Sequence, residues 1–240
     1  MKISVFLSPV EIEADRLAGT WVVVVDVLRA TSTVVTAFHH GVASVRPVAN
    51  AHDARELAKM WHPRPILGGE EGGFRAEGFD LGNSPLEYTP EAVSGRRLIF
   101  STTNGTRTLL KVRQAERVFL GAFLNARALA EFLEKQQPER VIFVCAGRHG
   151  HFSLEDAISS GYIIRQIQSA DSADDGAAAA QALAEKFAEK ESDFFQQSFH
   201  GRFLASHGFE ADLRFCAQKN VFGEIPEFVV ETGEIVLARS

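Results

Sequence analysis

Short β-branched runs alternate along the chain with stretches whose apolar positions recur at helical spacing. Trp21-Val22-Val23-Val24-Val25 is apolar at every position, as a strand buried on both faces of a parallel sheet would be. Arg97–Ser101, Arg117–Leu120 and Val141–Cys145 predict further strands, with Ile3–Leu7 and Ser44–Val48 as weaker ones. Helical patterns cover Thr31–His40, Ala51–Trp61, Thr106–Arg113 and Ala126–Gln136. This alternation predicts an α/β fold, a mostly parallel (mixed) sheet sandwiched between helices in α/β/α layers.

Beyond Leu154 the pattern turns largely helical, over Leu154–Ile167, Ala177–Lys190, Glu191–Ser206 and Phe209–Gln218. The polar stretch Ser169–Gly176 reads as a loop. Two short strands, Glu227–Val230 and Glu234–Leu237, flank Thr232-Gly233. No solenoid-type repeat is present, and residues 1–240 read as one α/β domain. Phe194-Phe195-Gln196-Gln197-Ser198-Phe199 is apolar on more than one side, which suits either the core or a homo-oligomer interface.

Composition narrows the functional classes. Hydrophobic residues make up 45% and charged residues 23%, ordinary values for a globular protein. The net charge of −6 and the lack of any Lys/Arg-rich run argue against nucleic-acid binding. Two cysteines, Cys145 and Cys216, make neither a disulfide framework nor a zinc pattern. The N-terminal segment lacks signal-peptide features, and the longest apolar run is too short to cross a bilayer. The expectation is a cytoplasmic protein with no membrane attachment.

Three predicted strands each end in a polar loop that opens a helix, and in an open α/β sheet ligands bind beyond the carboxyl ends of strands. Parallel strands would set all three loops along one edge. In the first loop Asp26 leaves the valine strand, Arg29 lies in the turn, and Thr31 and Ser32 begin the helix. Helix N-terminal N–H groups and hydroxyls bind phosphate oxygens, and Arg adds a charge-assisted contact. Thr31 or Ser32 reads equally well as an ordinary N-cap. The second loop, Ser101-Thr102-Thr103-Asn104-Gly105-Thr106-Arg107, gathers hydroxyl and amide groups around one glycine and can wrap an anion, although Asn104-Gly105 also fits a simple turn. It is not a P-loop.

The third loop carries Arg148, His149 and His151, followed by Glu155 and Asp156. Asp156 is a candidate metal carboxylate beside a phosphate-binding Arg148, or simply a favourable acid in a first helical turn. Two residues separate Cys145 from Arg148, where cysteine phosphatases need five, so Cys145 reads as a small buried hydrophobe. The segment Gly68–Pro85 is too glycine-dense for a helix or a strand and holds Glu70, Glu71, Glu77 and Asp80. Glu70 and Glu71, flanked by glycines, are candidate Mg2+ ligands, since Mg2+ takes carboxylates, water and substrate phosphate. Lys219 is a candidate partner for an anionic substrate group. The histidines outside the third loop, His200 among them, show no metal spacing and read as surface or satisfied residues.

Val25–Thr33, Gly68-Gly69-Glu70-Glu71, Gly82-Asn83-Ser84-Pro85, Ser101–Thr106 and Cys145-Ala146-Gly147, in that order, resemble the 2-phosphosulfolactate phosphatase family from Ile3 to Glu224. The resemblance implies an α/β/α phosphatase that uses Mg2+ to hydrolyse (2R)-O-phospho-3-sulfolactate to (R)-3-sulfolactate and phosphate. In methanogens that step belongs to coenzyme M synthesis. A substrate with three anionic groups calls for several cations, and Arg29, Arg75, Arg107, Arg148 and Lys219 stand in loops. The attacking group is either a water or Asp26. Haloacid-dehalogenase-type phosphatases end a buried strand in DxDx[TV]; here Leu28 replaces the second acid, so the general acid of that pattern is absent. Asp26 is therefore preferred as metal ligand or base. The competing readings are a phosphatase or phosphotransferase for another small 2-phosphohydroxy acid, and a non-catalytic sensor of such a metabolite.

Overall fold

The computed structural model describes residues 1–170, 172–188 and 191–239. Its strands are β1 (Lys2–Phe6), β2 (Trp21–Val25), β3 (Ser44–Val48), β4 (Ile66–Glu71), β5 (Phe74–Arg75), β6 (Arg97–Ser101), β7 (Arg117–Gly121), β8 (Arg140–Cys145), β9 (Ser172–Ala173), β10 (Pro226–Val229) and β11 (Glu234–Leu237). The helices are α1 (Ala14–Leu17), α2 (Ala30–His39), α3 (Ala51–Met60), α4 (Pro90–Val93), α5 (Gly105–Lys111), α6 (Ala126–Gln136), α7 (Leu154–Ile164), α8 (Asp175–Lys186), α9 (Glu191–Gln197), α10 (Phe199–Ala205) and α11 (Glu210–Cys216).

All the strands join one sheet in the order β5-β4-β6-β3-β11-β10-β7-β2-β8-β1-β9. Two parallel blocks, β4-β6-β3 and β7-β2-β8-β1-β9, are separated by the antiparallel β10–β11 hairpin. Val22 and Val24 of β2 point to one face and Val23 and Val25 to the other, all fully buried. Each such side chain contributes about 1.5–3 kcal/mol over its exposed state, which is why an unbroken valine run settles at the sheet centre. Helices α6, α7 and α8 cover one face of this block and α2 the other, while α3 packs on β4 and β6. The α/β/α expectation holds.

Three antiparallel pairings in succession reverse the strand sense between the blocks. The three loops therefore do not share one flat edge, as simple parallel order suggested. The loops after β6 and β2 nonetheless come together over one cleft.

Further expectations needed correction. The glycine-dense segment does contain strands, β4 and β5. Its glycines serve close packing: a Cβ on Gly69, at φ +128°, would lie 1.9 Å from the Ser101 carbonyl oxygen, and one on Gly68 would lie 2.3 Å from the Tyr88 hydroxyl. The single helix expected over Glu191–Ser206 breaks at Ser198, whose hydroxyl caps α10 by accepting the Gly201 N–H at 3.0 Å. Part of the expected polar loop pairs beside β1 as β9; Asp171 in that stretch, and Glu189 and Lys190 at the end of the helix expected over Ala177–Lys190, lie outside the described residues. Phe194 and Phe195 are core residues, whereas Phe199 is exposed. Among the described residues no helix is long and apolar enough to cross a membrane.

Candidate active site

The loops after β2, β6 and β8 and the β4–β5 turn meet over one cleft. Asp26 lies at its base, 7% exposed, at the mouth of the valine strand. Its backbone N–H donates to Thr31 Oγ1 (3.2 Å), and its carboxylate accepts the N–H groups of Ala30 (3.4 Å) and Gly105. Gly105 must be glycine here, because a Cβ would stand 2.7 Å from both Asp26 Oδ2 and the Ala30 methyl.

Glu70, at the end of β4, faces the same cleft. Its Oε1 accepts the Thr103 N–H at 2.6 Å, and its Oε2 accepts the Gly73 N–H at 2.7 Å and the Thr103 hydroxyl at 3.1 Å. Burial and the Glu70 charge push the Asp26 carboxyl up to about 7, against the pull of the Ala30 and Gly105 N–H groups and of Arg29. Two carboxylates thus confront each other in a space shielded from water.

Asp156 braces the site from behind. One carboxylate oxygen takes the Val27 N–H at 2.9 Å and the other the Gly147 N–H at 3.0 Å, tying the first loop to the third. Burial, then the charges of Asp26 and Glu155, hold it well above the usual carboxylate range. Glu71 is exposed at the tip of the β4–β5 turn and does not line the cleft. Among the described residues no group of three or more His, Cys, Asp or Glu forms a ready-made metal cage.

The two arginines read as catalytic candidates differ sharply. Arg29 is 2% exposed and its guanidinium is engaged by Asp212 at 2.6 Å, by the Gly73 carbonyl at 2.8 Å and by the Phe209 ring at 4.1 Å. Asp212 also accepts the Ser84 hydroxyl at 2.7 Å. Arg148 rests on the Phe199 and Phe203 rings, 5.0 Å from each, and makes no ion pair among the described residues. Its charge is thus available to an anion in the cleft.

The hydroxyls of the loops divide likewise. Thr102 and Thr106 exchange N–H to hydroxyl bonds (3.1 and 3.2 Å) and seal the start of α5, while the Ser32 hydroxyl donates to the Val27 carbonyl at 2.8 Å. With Thr31 they shape the loops from inside. Thr103 and Asn104 reach the cleft, and Asn104 Oδ1 accepts the His149 N–H at 3.0 Å, linking the second and third loops. Arg107 is exposed over an adjoining groove with Lys111, and Lys219 sits 5.0 Å from the Tyr162 ring, away from the cleft lining. Cys145 is wholly buried, and burial pushes its thiol far up, which removes it as a nucleophile.

The family profile described as 2-phosphosulpholactate phosphatase matches residues 6–231. The chain belongs to this family. A Caldicellulosiruptor saccharolyticus protein named probable 2-phosphosulfolactate phosphatase is 40% identical over 95% of this chain and 97% of its own. Proteins of the same name from Clostridium perfringens (38%, over 100% of this chain and 98% of theirs) and Thermotoga maritima (40%, over 86% and 88%) are similar to it as well.

Sequence reading passed over residues that this family member brings to the cleft. Asn83 is 6% exposed, and its Oδ1 has no hydrogen-bond partner among the described residues. His200 arrives from α10, and Asp212 from α11 holds Arg29. Asn83 lay in a segment quoted only for resemblance. Nothing in the sequence around Asp212 or His200 links them to loops more than 170 positions away.

Proposed function

We propose that this chain is a phosphoric monoester hydrolase that converts 2-phosphosulfolactate to sulfolactate and phosphate, using Mg2+. One observation carries the reading: a cleft lined by the Asp26 and Glu70 carboxylates and by Arg148, whose guanidinium makes no ion pair among the described residues. A receptor for anions gains nothing from buried carboxylates, whereas a hydrolase uses them. The family relatives, by name, act on this substrate.

The residues fit Mg2+ in one specific way. Asp26 and Glu70 would hold it, because a cation between them relieves the repulsion that raises Asp26, and Mg2+ needs only one or two protein carboxylates. Bound there, Mg2+ would neutralise phosphate charge and stabilise the charge that develops during transfer. Arg148 orients the phosphoryl group and shares in that stabilisation. Asp26, beside that site, would accept the hydrogen bond that orients the attacking water. Thr103 and Asn104 close the cleft on the side of the second loop.

The test is phosphate release from 2-phosphosulfolactate, 2-phospholactate and phosphoglycolate, with Mg2+ and with EDTA. Metal-dependent release that favours the sulfonate is expected. Equal rates on all three would replace the sulfonate-specific reading with a general 2-phosphohydroxy acid phosphatase, and no release would overturn the hydrolase.

A further inference from the structure

Asn83 combines a clamped backbone with an unmatched side chain. Just before it, the Gly82 carbonyl accepts the Gly69 N–H at 3.1 Å and the Tyr88 hydroxyl at 2.7 Å, and the Gly82 N–H donates to Glu87 Oε2 at 2.8 Å. The Asn83 carbonyl accepts the Thr33 hydroxyl at 2.9 Å, and just after it the Ser84 hydroxyl donates to Asp212 Oδ1 at 2.7 Å. Consecutive residues are thus held from several directions. The Asn83 amide oxygen, Oδ1, is nevertheless buried with no hydrogen-bond partner among the described residues. A buried acceptor left bare costs free energy unless something outside the chain meets it.

The anchors of the backbone show where that something belongs. Gly69 directly precedes Glu70 in β4. Thr33 lies in the first turn of α2, the helix whose leading N–H, from Ala30, is bonded to Asp26. Asn83 is therefore fastened to both elements that carry the two carboxylates, and it lines the same cleft as they do.

An amide oxygen accepts hydrogen bonds or binds a cation; it has no proton to give. Fully ionised 2-phosphosulfolactate carries a phosphate, a carboxylate and a sulfonate, so it has no hydrogen to offer this oxygen. A water or a metal ion can meet it. The ion is favoured because it answers the bare Oδ1 and the charge of Asp26 and Glu70 together. A hard divalent cation takes oxygen ligands. A neutral one completes its coordination without adding to the negative charge that a phosphate has to approach.

We propose that Asn83 is a metal-binding residue, its Oδ1 a third protein ligand beside Asp26 and Glu70 for the divalent cation of this cleft. The inference rests on the Mg2+ reading above and adds a neutral ligand to it.

The experiment titrates EDTA-stripped wild type, Asn83→Ala and Asn83→Asp with Mn2+. Free ion is followed by electron paramagnetic resonance and bound ion by water-proton relaxation, with thermal melts in Mg2+ alongside. Asn83→Ala is expected to bind Mn2+ at least about 10-fold more weakly and to show a smaller rise in Tm with Mg2+. Its relaxation per bound Mn2+ should increase, because a water takes the place of the amide. Asn83→Asp keeps an oxygen there and adds charge, so it should bind Mn2+ at least as tightly as wild type; weaker binding would overturn the proposal. That arm decides if Asn83→Ala fails to fold. Wild-type affinity and relaxation in Asn83→Ala would sink Asn83 as a ligand even with a lowered kcat, and would leave the metal site of Asp26 and Glu70 standing. A wild type that binds neither ion sinks that metal site and this inference with it.

Discussion

Arg29 and Asp212 meet at 2.6 Å with both side chains almost wholly out of water, although 183 positions separate them. The pair fastens α11 to the loop that carries Asp26. Removing one partner strands a buried charge, which costs about 3–5 kcal/mol. Asp212→Ala should therefore lower the urea midpoint sharply. The double variant Arg29→Met/Asp212→Leu should regain part of that loss, since the two changes share one interaction. A double variant no more stable than Asp212→Ala in urea titrations would contradict this.

Gly105 sets the distance between α5 and Asp26. Gly105→Ala places a methyl 2.7 Å from Asp26 Oδ2 and from the Ala30 methyl, so α5 or the first loop must shift. The expected cost is about 1–3 kcal/mol of stability and at least about 10-fold in kcat, because ångström displacements of reacting groups are expensive. Steady-state kinetics beside thermal melts check both.

Asp26 gives stability a pH signature. Its carboxyl titrates near 7 in the folded protein and near 3.8 in the unfolded chain, so the folded state binds the proton more tightly. That contribution is fully present below the unfolded value and is lost as pH rises through about 7. In EDTA, Asp26→Asn should be more stable than wild type at pH 8 and should lose that advantage by pH 4. Parallel wild-type and variant curves across this range would refute the assignment.

Glu70 and Glu71 are neighbours with opposite surroundings, one buried under three hydrogen bonds and the other exposed. Glu70→Gln should cost about 100-fold or more in kcat and abolish any rise in Tm on adding Mg2+. Glu71→Gln should stay within about 2-fold of wild type, as exposed substitutions do. Calorimetric melts with and without Mg2+ separate the two positions.

Much of this was legible in the sequence where the physics is local. The valine run of β2, the alternation of strands and helices and the three loops are set by short-range patterning, and Asp26, Thr103, Asn104 and Arg148 do reach the cleft. The role of β4 was hidden because glycine was taken as a lack of strand preference, when Gly68 and Gly69 are there to clear Tyr88 and the Ser101 carbonyl. Ser32 and Thr106 donate their hydroxyls to the Val27 and Thr102 carbonyls, and the Thr102 hydroxyl accepts the Thr106 N–H. Asp212 and His200 owe their places to helices that return late in the chain, and no local spacing encodes such long-range pairing.

The hairpin between the two parallel blocks has a mechanical consequence. It joins β7 only at Glu227–Phe119 and Phe228–Val118, and β3 only at Ile235–Val45, whereas the strands inside each block pair along their length. Glu70 and Thr103 stand on one side of this seam, and Asp26 and Arg148 on the other. A pulling force or a rising temperature would find its line of fracture there. The first step of failure would be a parting of the two halves of the site while each half still held its own strands together.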